Sequence, residues 1–411
     1  MKYGLIGEKL GHSFSKAIHA RLGDYPYELQ EIASGCLNDF MREKDFLGIN
    51  VTMPYKETVI PYLDWIDEPA KEIGAVNTIV NISGKLYGYN TDFYGIKELI
   101  SHAGICVEGK KAAILGSGGT SKTAYAALKS LGAGEILMVS RSERFGFITY
   151  GEFCENHKDT DIIVNTTPVG MYPDIFSCAI DLEKFENLSG VVDAVYNPIN
   201  TTLIRAAKMR GIKAEAGLYM LVGQAVVASE LFLNKNHPVK TIDRVYKEIR
   251  AEKENIVLIG MPASGKTTVG KILADKLGRK FVDTDDLITE KTGMSIKDFF
   301  EKNGESAFRE IEGQVIKEIA KENSLVIATG GGAILREENV FALKYNGRLY
   351  FIDRPLEKLM PTEDRPLSSD KESIVKRYNE RYSIYCSSCD IIINADLDAE
   401  GVANKILEKY K

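Results

Sequence analysis

Residues 112–128 read AAILGSGGTSKTAYAAL, and residues 255–267 read NIVLIGMPASGKT. Each is a short apolar run, a glycine-rich turn and the start of a helical pattern. In that order the three make a β-strand, a tight turn and a helix whose N–H groups face a bound phosphate. Two such units in one chain imply two nucleotide-binding α/β modules.

In the first, Gly116 and Gly118 allow the tight turn and the close approach of a pyrophosphate, and Ser117, Gly119 and Thr120 complete the loop. Ser121 stands at the third small position of G-x-G-x-x-G, a departure from that pattern. The next strand, EILMVSRSER (135–144), ends in Ser140, Arg141, Ser142 and Arg144. NAD-binding folds place an acidic residue there for the ribose 2′-hydroxyl, whereas a guanidinium suits a 2′-phosphate. Glu143 lies between the two arginines, and NADP(H) is favoured over NAD.

The second stretch satisfies G-x-x-x-x-G-K-[ST], a P-loop. Gly260, Ala263, Ser264 and Gly265 supply the backbone cradle, and Thr268 carries the turn into the helix. Lys266 neutralises β- and γ-phosphates, and the Thr267 hydroxyl ligates Mg2+. ATP and Mg2+ are the implied cofactors.

Around these motifs the chain is ordinary globular protein of 411 residues, 44% hydrophobic and 27% charged, enough for two or three domains. No apolar run approaches the ~18 residues of a membrane span. The opening MKYGLIGEKLGHSFSK lacks a signal peptide's long apolar stretch and reads as a first β-strand, so a cytoplasmic protein without a membrane partner is expected. A net charge of −6 argues against a nucleic-acid surface. The partners expected are small molecules. Among six cysteines, Cys386 and Cys389 form the only CxxC. No histidine lies near them in sequence to complete the about four ligands of a zinc site.

Apolar runs alternate with helical periodicity throughout. Strands are expected at 3–6, 49–52, 112–115, 136–139, 162–165 and 191–194, then at 256–259, 280–282, 326–329, 349–352 and 391–393. Between the two sets KTIDRVYKEIRAEKEN (240–255) is a charged amphipathic helix, which places a module boundary near Glu252.

Seven further motifs occur in order: GEKLGHSFSKAIH (7–19), GINVTMPYK (48–56), IGAVNTI (73–79), GYNTDFYG (88–95), NTTPVGM (165–171), DAVYNP (193–198) and GLYMLVGQA (217–225). Together they resemble the shikimate dehydrogenases. The resemblance implies that Lys56 and Asp92 form a catalytic dyad and that Ser13 and Ser15 hold a substrate carboxylate. It also implies that Asn50, Thr52, Asn77 and Gln224 hold ring hydroxyls and that Met220 lines the nicotinamide face. Departures are Lys16 for proline, Ala20 for asparagine, and Ser140-Arg141-Ser142 for Asn-Arg-Thr. Taken alone, Asp92 reads as a cap for a helix beginning at Phe93.

Residues 252–411 resemble shikimate kinases. Through FVDTDDLI (281–288), FREIEG (308–313), TGGGA (329–333), EDRPLSS (363–369) and ERYSIY (380–385), the resemblance assigns five roles. Asp283 serves the Mg2+ and acceptor side, Asp285 the shikimate hydroxyls, and Arg309 and Arg381 the carboxylate. Gly330, Gly331 and Gly332 allow close backbone approach, and Arg365 on a lid reaches the transferring phosphate. Taken singly, Arg309 and Arg381 read as surface ion-pair partners.

The expected architecture is therefore α/β throughout. Residues 1–103 and 218–251 make a substrate-binding α/β part, 104–217 an NADP-binding Rossmann part, and 252–411 a P-loop kinase with a parallel sheet. The expected function is bifunctional, with reduction of 3-dehydroshikimate by NADPH followed by phosphorylation of shikimate. Quinate as a substrate of the first module, or a non-catalytic sensor of shikimate or quinate, are the alternatives.

Overall fold

The structure, a computed structural model, describes residues 1–11, 13–359 and 371–410. It divides into two compact units, Met1–Arg250 and Ala251–Lys411.

The first unit has two six-stranded sheets. One contains β1 (Tyr3–Gly7), β2 (Glu28–Glu31), β3 (Gly48–Val51), β4 (Trp65–Ile66), β5 (Thr78–Ile82) and β6 (Lys85–Tyr89), in the order β2-β1-β3-β5-β6-β4. It is mixed: β1 runs parallel to β2 and β3, while β5 is antiparallel to both β3 and β6. The β5–β6 hairpin is absent from the strands expected above. Its two-residue turn is Ser83-Gly84, with φ of 52° and 84°, the positive pair that a type I′ turn requires. Serine there carries a weaker turn signal than the usual asparagine.

The other sheet contains β7 (Lys111–Leu115), β8 (Glu135–Ser140), β9 (Ile148–Thr149), β10 (Ile162–Asn165), β11 (Gly190–Asp193) and β12 (Lys213–Glu215). All neighbours are parallel, in the order β12-β11-β10-β7-β8-β9. That is the doubly wound Rossmann order, with its switch point between β7 and β10, where the glycine turn after Leu115 emerges.

Two helices carry residues from one sheet toward the other. Thr91–His102 and Leu218–Leu233 pack together, and they meet at Gly95, where a Cβ would stand 2.6 Å from the Met220 carbonyl oxygen. Ile96, Leu99, Val222 and Val226 then join Ile114, Ala124, Leu128 and Val192 in one buried core. The charged helix Thr241–Lys253 turns Val245 and Ile249 into the same core.

The second unit is a parallel five-stranded sheet of β13 (Asn255–Ile259), β14 (Lys280–Asp283), β15 (Leu325–Ala328), β16 (Gly347–Asp353) and β17 (Ile391–Asn394), in the order β14-β15-β13-β16-β17. Every residue of β13 is buried, which is why it reads as an unbroken apolar run.

At the end of β11, Asp193 is fully buried and accepts hydrogen bonds from Asn165 Nδ2 (2.9 Å), the Val195 N–H (3.0 Å) and Thr201 Oγ1 (2.7 Å). Burial pushes its carboxyl up to about 7, against the pull of those three donors. An unfolded aspartate titrates near ~3.9. Between about pH 4 and 7 the folded unit therefore keeps a proton that the unfolded chain has lost, and this contribution to stability falls as pH rises through that window. Asp193→Asn has no such dependence. Its stability relative to the wild type should improve by as much as ~4 kcal/mol between pH 4 and 7. Urea unfolding read by Trp65, the single tryptophan, reports this unit, and an unchanged difference across that range would contradict the assignment.

Candidate active sites

A cavity of about 430 Å³ in the first unit is lined by Ser13, Ser15, Asn50, Thr52, Lys56, Asn77, Asp92, Met220 and Gln224. Every substrate-side residue expected in this module is thus at one place. Thr120, from the turn after β7, lines the same cavity, as do Lys9, Tyr196 and Gly217.

Lys56 Nζ lies 2.6 Å from Asp92 Oδ2, with both side chains largely shielded from solvent. Asp92 is not the helix cap. The helix begins at Thr91, and Asn90 caps it by accepting the Phe93 N–H (3.2 Å) while its Nδ2 donates to the Ala75 carbonyl (2.9 Å). With Asn90 in that place, the Asp92 carboxylate is left to Lys56.

The amides around the pair are fixed from behind. Asn77 Oδ1 accepts the Thr91 N–H at 2.7 Å, which leaves its Nδ2 as the donor for a ligand. Asn50 Oδ1 accepts Tyr27 Oη at 2.7 Å, and its Nδ2 donates to Thr78 Oγ1 at 3.0 Å. Gln224 Nε2 donates to the Leu221 carbonyl, and Thr91 Oγ1 lies 3.3 Å from Gln224 Oε1. Tyr27 is stacked on His19 at 3.7 Å, and burial lowers the His19 pKa to about 3, so the ring is neutral.

On the dinucleotide side, Gly116 has φ of 117°, and a Cβ there would stand 2.7 Å from Thr166 Oγ1. Gly118 and Gly119 face open space at the start of the helix Gly119–Ser130, so room for a pyrophosphate exists where helix N–H groups point. Ser121 fits the close-packed third position because its hydroxyl donates back to the Gly118 carbonyl at 2.6 Å. Ser140 Oγ donates to the Ser142 carbonyl, folding the end of β8. Arg141, Ser142 and Arg144 are exposed there, and the Arg144 guanidinium lies over the Phe147 ring. These exposed cations suit a 2′-phosphate.

In the second unit the loop after β13 leads into the helix Lys266–Leu277. Lys266 Nζ donates to the carbonyls of Gly260 (2.9 Å) and Met261 (2.8 Å). Thr267 Oγ1 donates to Asp283 Oδ2 at 2.8 Å, so the two expected Mg2+ ligands are neighbours, and both offer the oxygen donors that a hard cation takes. Asp283 Oδ1 accepts the Asp285 N–H. Ser264 Oγ is buried without a hydrogen-bond partner among the described residues, and Thr268 is exposed on the following turn.

The turn after β15 gathers the acceptor side. Cβ atoms built on Gly330, Gly331 and Gly332 would meet Asp285 Oδ1 at 2.7 Å, Pro262 Cδ at 2.8 Å and the Arg309 guanidinium at 2.4 Å. Arg381, 8% exposed, donates to the Gly331 carbonyl at 3.1 Å. Arg309 pairs with Glu312 at 2.8 Å and Glu305 at 3.3 Å, so it does make the ion pairs of a helical arginine, but with its side chain only 11% exposed. Arg365 and the stretch 363–369 lie outside the described residues.

The sequence reading does not single out Tyr27, Thr91 or Glu312. Glu312 is 1% exposed, with one oxygen on Arg309 and the other unpartnered among the described residues, and burial raises its pKa. Its signal was available, because it follows Arg309 by one helical turn within FREIEG. Tyr27 has no local signal, since its partner Asn50 lies on β3, far along the chain.

A family model described as shikimate dehydrogenase substrate binding domain matches residues 5–79. The shikimate dehydrogenase (NADP(+)) of Clostridium perfringens SM101 is 38% identical over 266 residues, spanning 60% of this chain and 98% of that protein. The chain belongs to the shikimate dehydrogenase family. Residues 262–411 match the family model described as shikimate kinase, so a kinase domain follows the dehydrogenase. The counterpart from Halothermothrix orenii is 41% identical over 258 residues, 56% of this chain and 89% of its own length. Among solved structures, a chorismate mutase/shikimate 5-dehydrogenase fusion from Clostridium acetobutylicum is 35% identical. It covers 60% of this chain and 96% of its own, with a TM-score of 0.57. The Thermus thermophilus shikimate 5-dehydrogenase, solved with NADP(H) and shikimate, is 30% identical, covers 60% and 99%, and has a TM-score of 0.55.

One position in the kinase loop is strained. Ala263 has φ of 62°, a left-handed conformation that costs a residue with a Cβ about 1–2 kcal/mol. Ala263→Gly removes that cost but adds freedom to the unfolded chain worth ~0.4–1 kcal/mol. A net stabilisation of ~0.5–1 kcal/mol is expected, read as slower hydrogen exchange of the β13 amides. Faster exchange would show that the alanine is not strained.

Proposed function

We propose that the first unit reduces 3-dehydroshikimate to shikimate with NADPH, and that the second transfers phosphate from MgATP to the 3-hydroxyl of shikimate. The observation that carries the first reading is the Lys56–Asp92 pair at 2.6 Å in a cavity lined by hydroxyls and amides. NADPH supplies the hydride when bound. Lys56, an ammonium held by Asp92, gives a proton to the ketone oxygen and as the neutral amine takes it back in the reverse direction. Ser13 and Ser15 hold the carboxylate. Asn50, Thr52, Asn77 and Gln224 orient the ring hydroxyls, and Met220 covers the nicotinamide side.

In the second unit, MgATP supplies the phosphoryl group when bound. Lys266 exchanges its two loop carbonyls for phosphate oxygens, and Thr267 with Asp283 would hold the Mg2+. Asp285 takes the acceptor hydroxyl, and Arg309 and Arg381 converge on the carboxylate from two helices, each offering a planar fork. Arg365 is the residue assigned to the transferring phosphate. The product of the first reaction is the acceptor of the second. No helix among the described residues is long and apolar enough to cross a membrane, and the cytoplasm, with its NADPH and ATP, is the compartment we assign.

Exchanging the two lysines separates the activities. Lys56→Ala should lower dehydrogenase turnover by about 10²–10⁴-fold and leave the kinase intact, while Lys266→Ala should abolish phosphoryl transfer and leave hydride transfer intact. The two assays are NADPH oxidation with dehydroshikimate and ATP-dependent formation of shikimate 3-phosphate. Wild-type rates in the activity each variant is meant to lose would overturn these roles. For the cofactor, Arg141→Ala should weaken NADP+ roughly ten- to hundredfold while barely altering NAD+. Equal losses for the two dinucleotides would remove Arg141 from 2′-phosphate recognition.

A further inference from the structure

The charges facing the dehydrogenase cavity do not balance. Its lining includes one carboxylate, Asp92, and two ammonium groups, Lys56 and Lys9. Lys56 is neutralised by Asp92 at 2.6 Å. Lys9 forms no ion pair with a carboxylate among the described residues, and the neighbouring acids each accept a hydrogen bond from another group. Glu8 Oε1 accepts Ser34 Oγ at 3.1 Å, and Glu31 Oε1 accepts the Leu10 N–H at 2.7 Å. Counted over the residues that line it, the cavity therefore carries one surplus positive charge.

That charge is on the loop that presents Ser13 and Ser15, between the end of β1 at Gly7 and the helix beginning at Ser15. Both serines are neutral donors. They can hydrogen-bond a carboxylate, but they leave its charge uncompensated as it gives up water. We propose that Lys9 is the cation that selects the substrate carboxylate, completing the Ser13–Ser15 site and discriminating acids from uncharged ring analogues. This rests on the dehydrogenase reading given above. Lys9 is exposed, so its attraction acts at the cavity mouth and weakens with salt, since fields there fade over about 8 Å at physiological ionic strength.

The test uses the full chain and shikimate-dependent reduction of NADP+, with shikimate methyl ester as the uncharged probe. For Lys9→Ala, the KM for shikimate should rise roughly three- to tenfold at low salt. The loss should fall on KM rather than kcat and shrink at high salt. Lys9→Arg should restore the wild-type KM, and the KM values for the ester and for NADP+ should stay put. A merely structural lysine would move acid and ester together. An unchanged KM for shikimate at low salt, or equal losses for acid and ester, would overturn the role of Lys9 while leaving the dehydrogenase reading standing. Absence of shikimate-dependent NADP+ reduction by the wild-type chain would overturn that reading and the proposal with it.

Discussion

The helices Thr91–His102 and Leu218–Leu233 can touch only because residue 95 has no side chain; a Cβ there would stand 2.6 Å from the Met220 carbonyl oxygen. Much of the dehydrogenase cavity follows from that contact. It sets Asp92, one turn before Gly95, beside Met220 and Gln224, and lets Thr91 reach Gln224 and Asn77 at once. It also buries Ile96 and Leu99 among residues of the Rossmann sheet. One backbone approach thus positions both the Asp92 carboxylate and the amides that surround it.

The kinase unit solves the same problem with a turn instead of a helix pair. Gly330–Gly332 follow β15 and leave no room for side chains between Asp285, Pro262 and Arg309. Arg381 and Tyr385 both donate to the Gly331 carbonyl, and the Gly330 N–H donates to Thr284. Side chains from two helices and the Asp-x-Asp segment are therefore referenced to one short piece of backbone. A site defined this way keeps its arginines in place before any ligand arrives, which lowers the ordering cost of binding.

Both sites also show how buried charge is tolerated. The Lys56–Asp92 pair is neutral as a unit, and Glu312 shares its burial with Arg309. Desolvation would otherwise penalise each ion by several kcal/mol. Asp193 has no cation beside it among the described residues and is instead held by three donors, and burial pushes its carboxyl up. Two of the buried polar groups without partners among the described residues lie where ligands are expected: Ser264 in the P-loop and one oxygen of Glu312 beside Gly330.

Sequence alone determined what depends on local physics. Buried parallel strands such as β13 are unbroken apolar runs, glycine turns are marked by their residues, and Arg141 at the end of β8 lies one step beyond a strand the pattern already defines. The positions of Lys56, Asp92, Thr267 and Asp283 were legible because each sits within a short motif. What the tertiary structure decided is everything set by residues far apart in the chain. The Ser83-Gly84 hairpin was missed because its turn signal is weak and its strands are half buried. Asn90, not Asp92, caps the helix, and Asn90 is chosen because its amide also reaches Ala75. Tyr27 behind Asn50, the strain at Ala263 and the surplus charge of Lys9 have no local signature at all. Each arises from where neighbouring strands and helices bring their partners, and that placement is fixed by packing the chain as a whole.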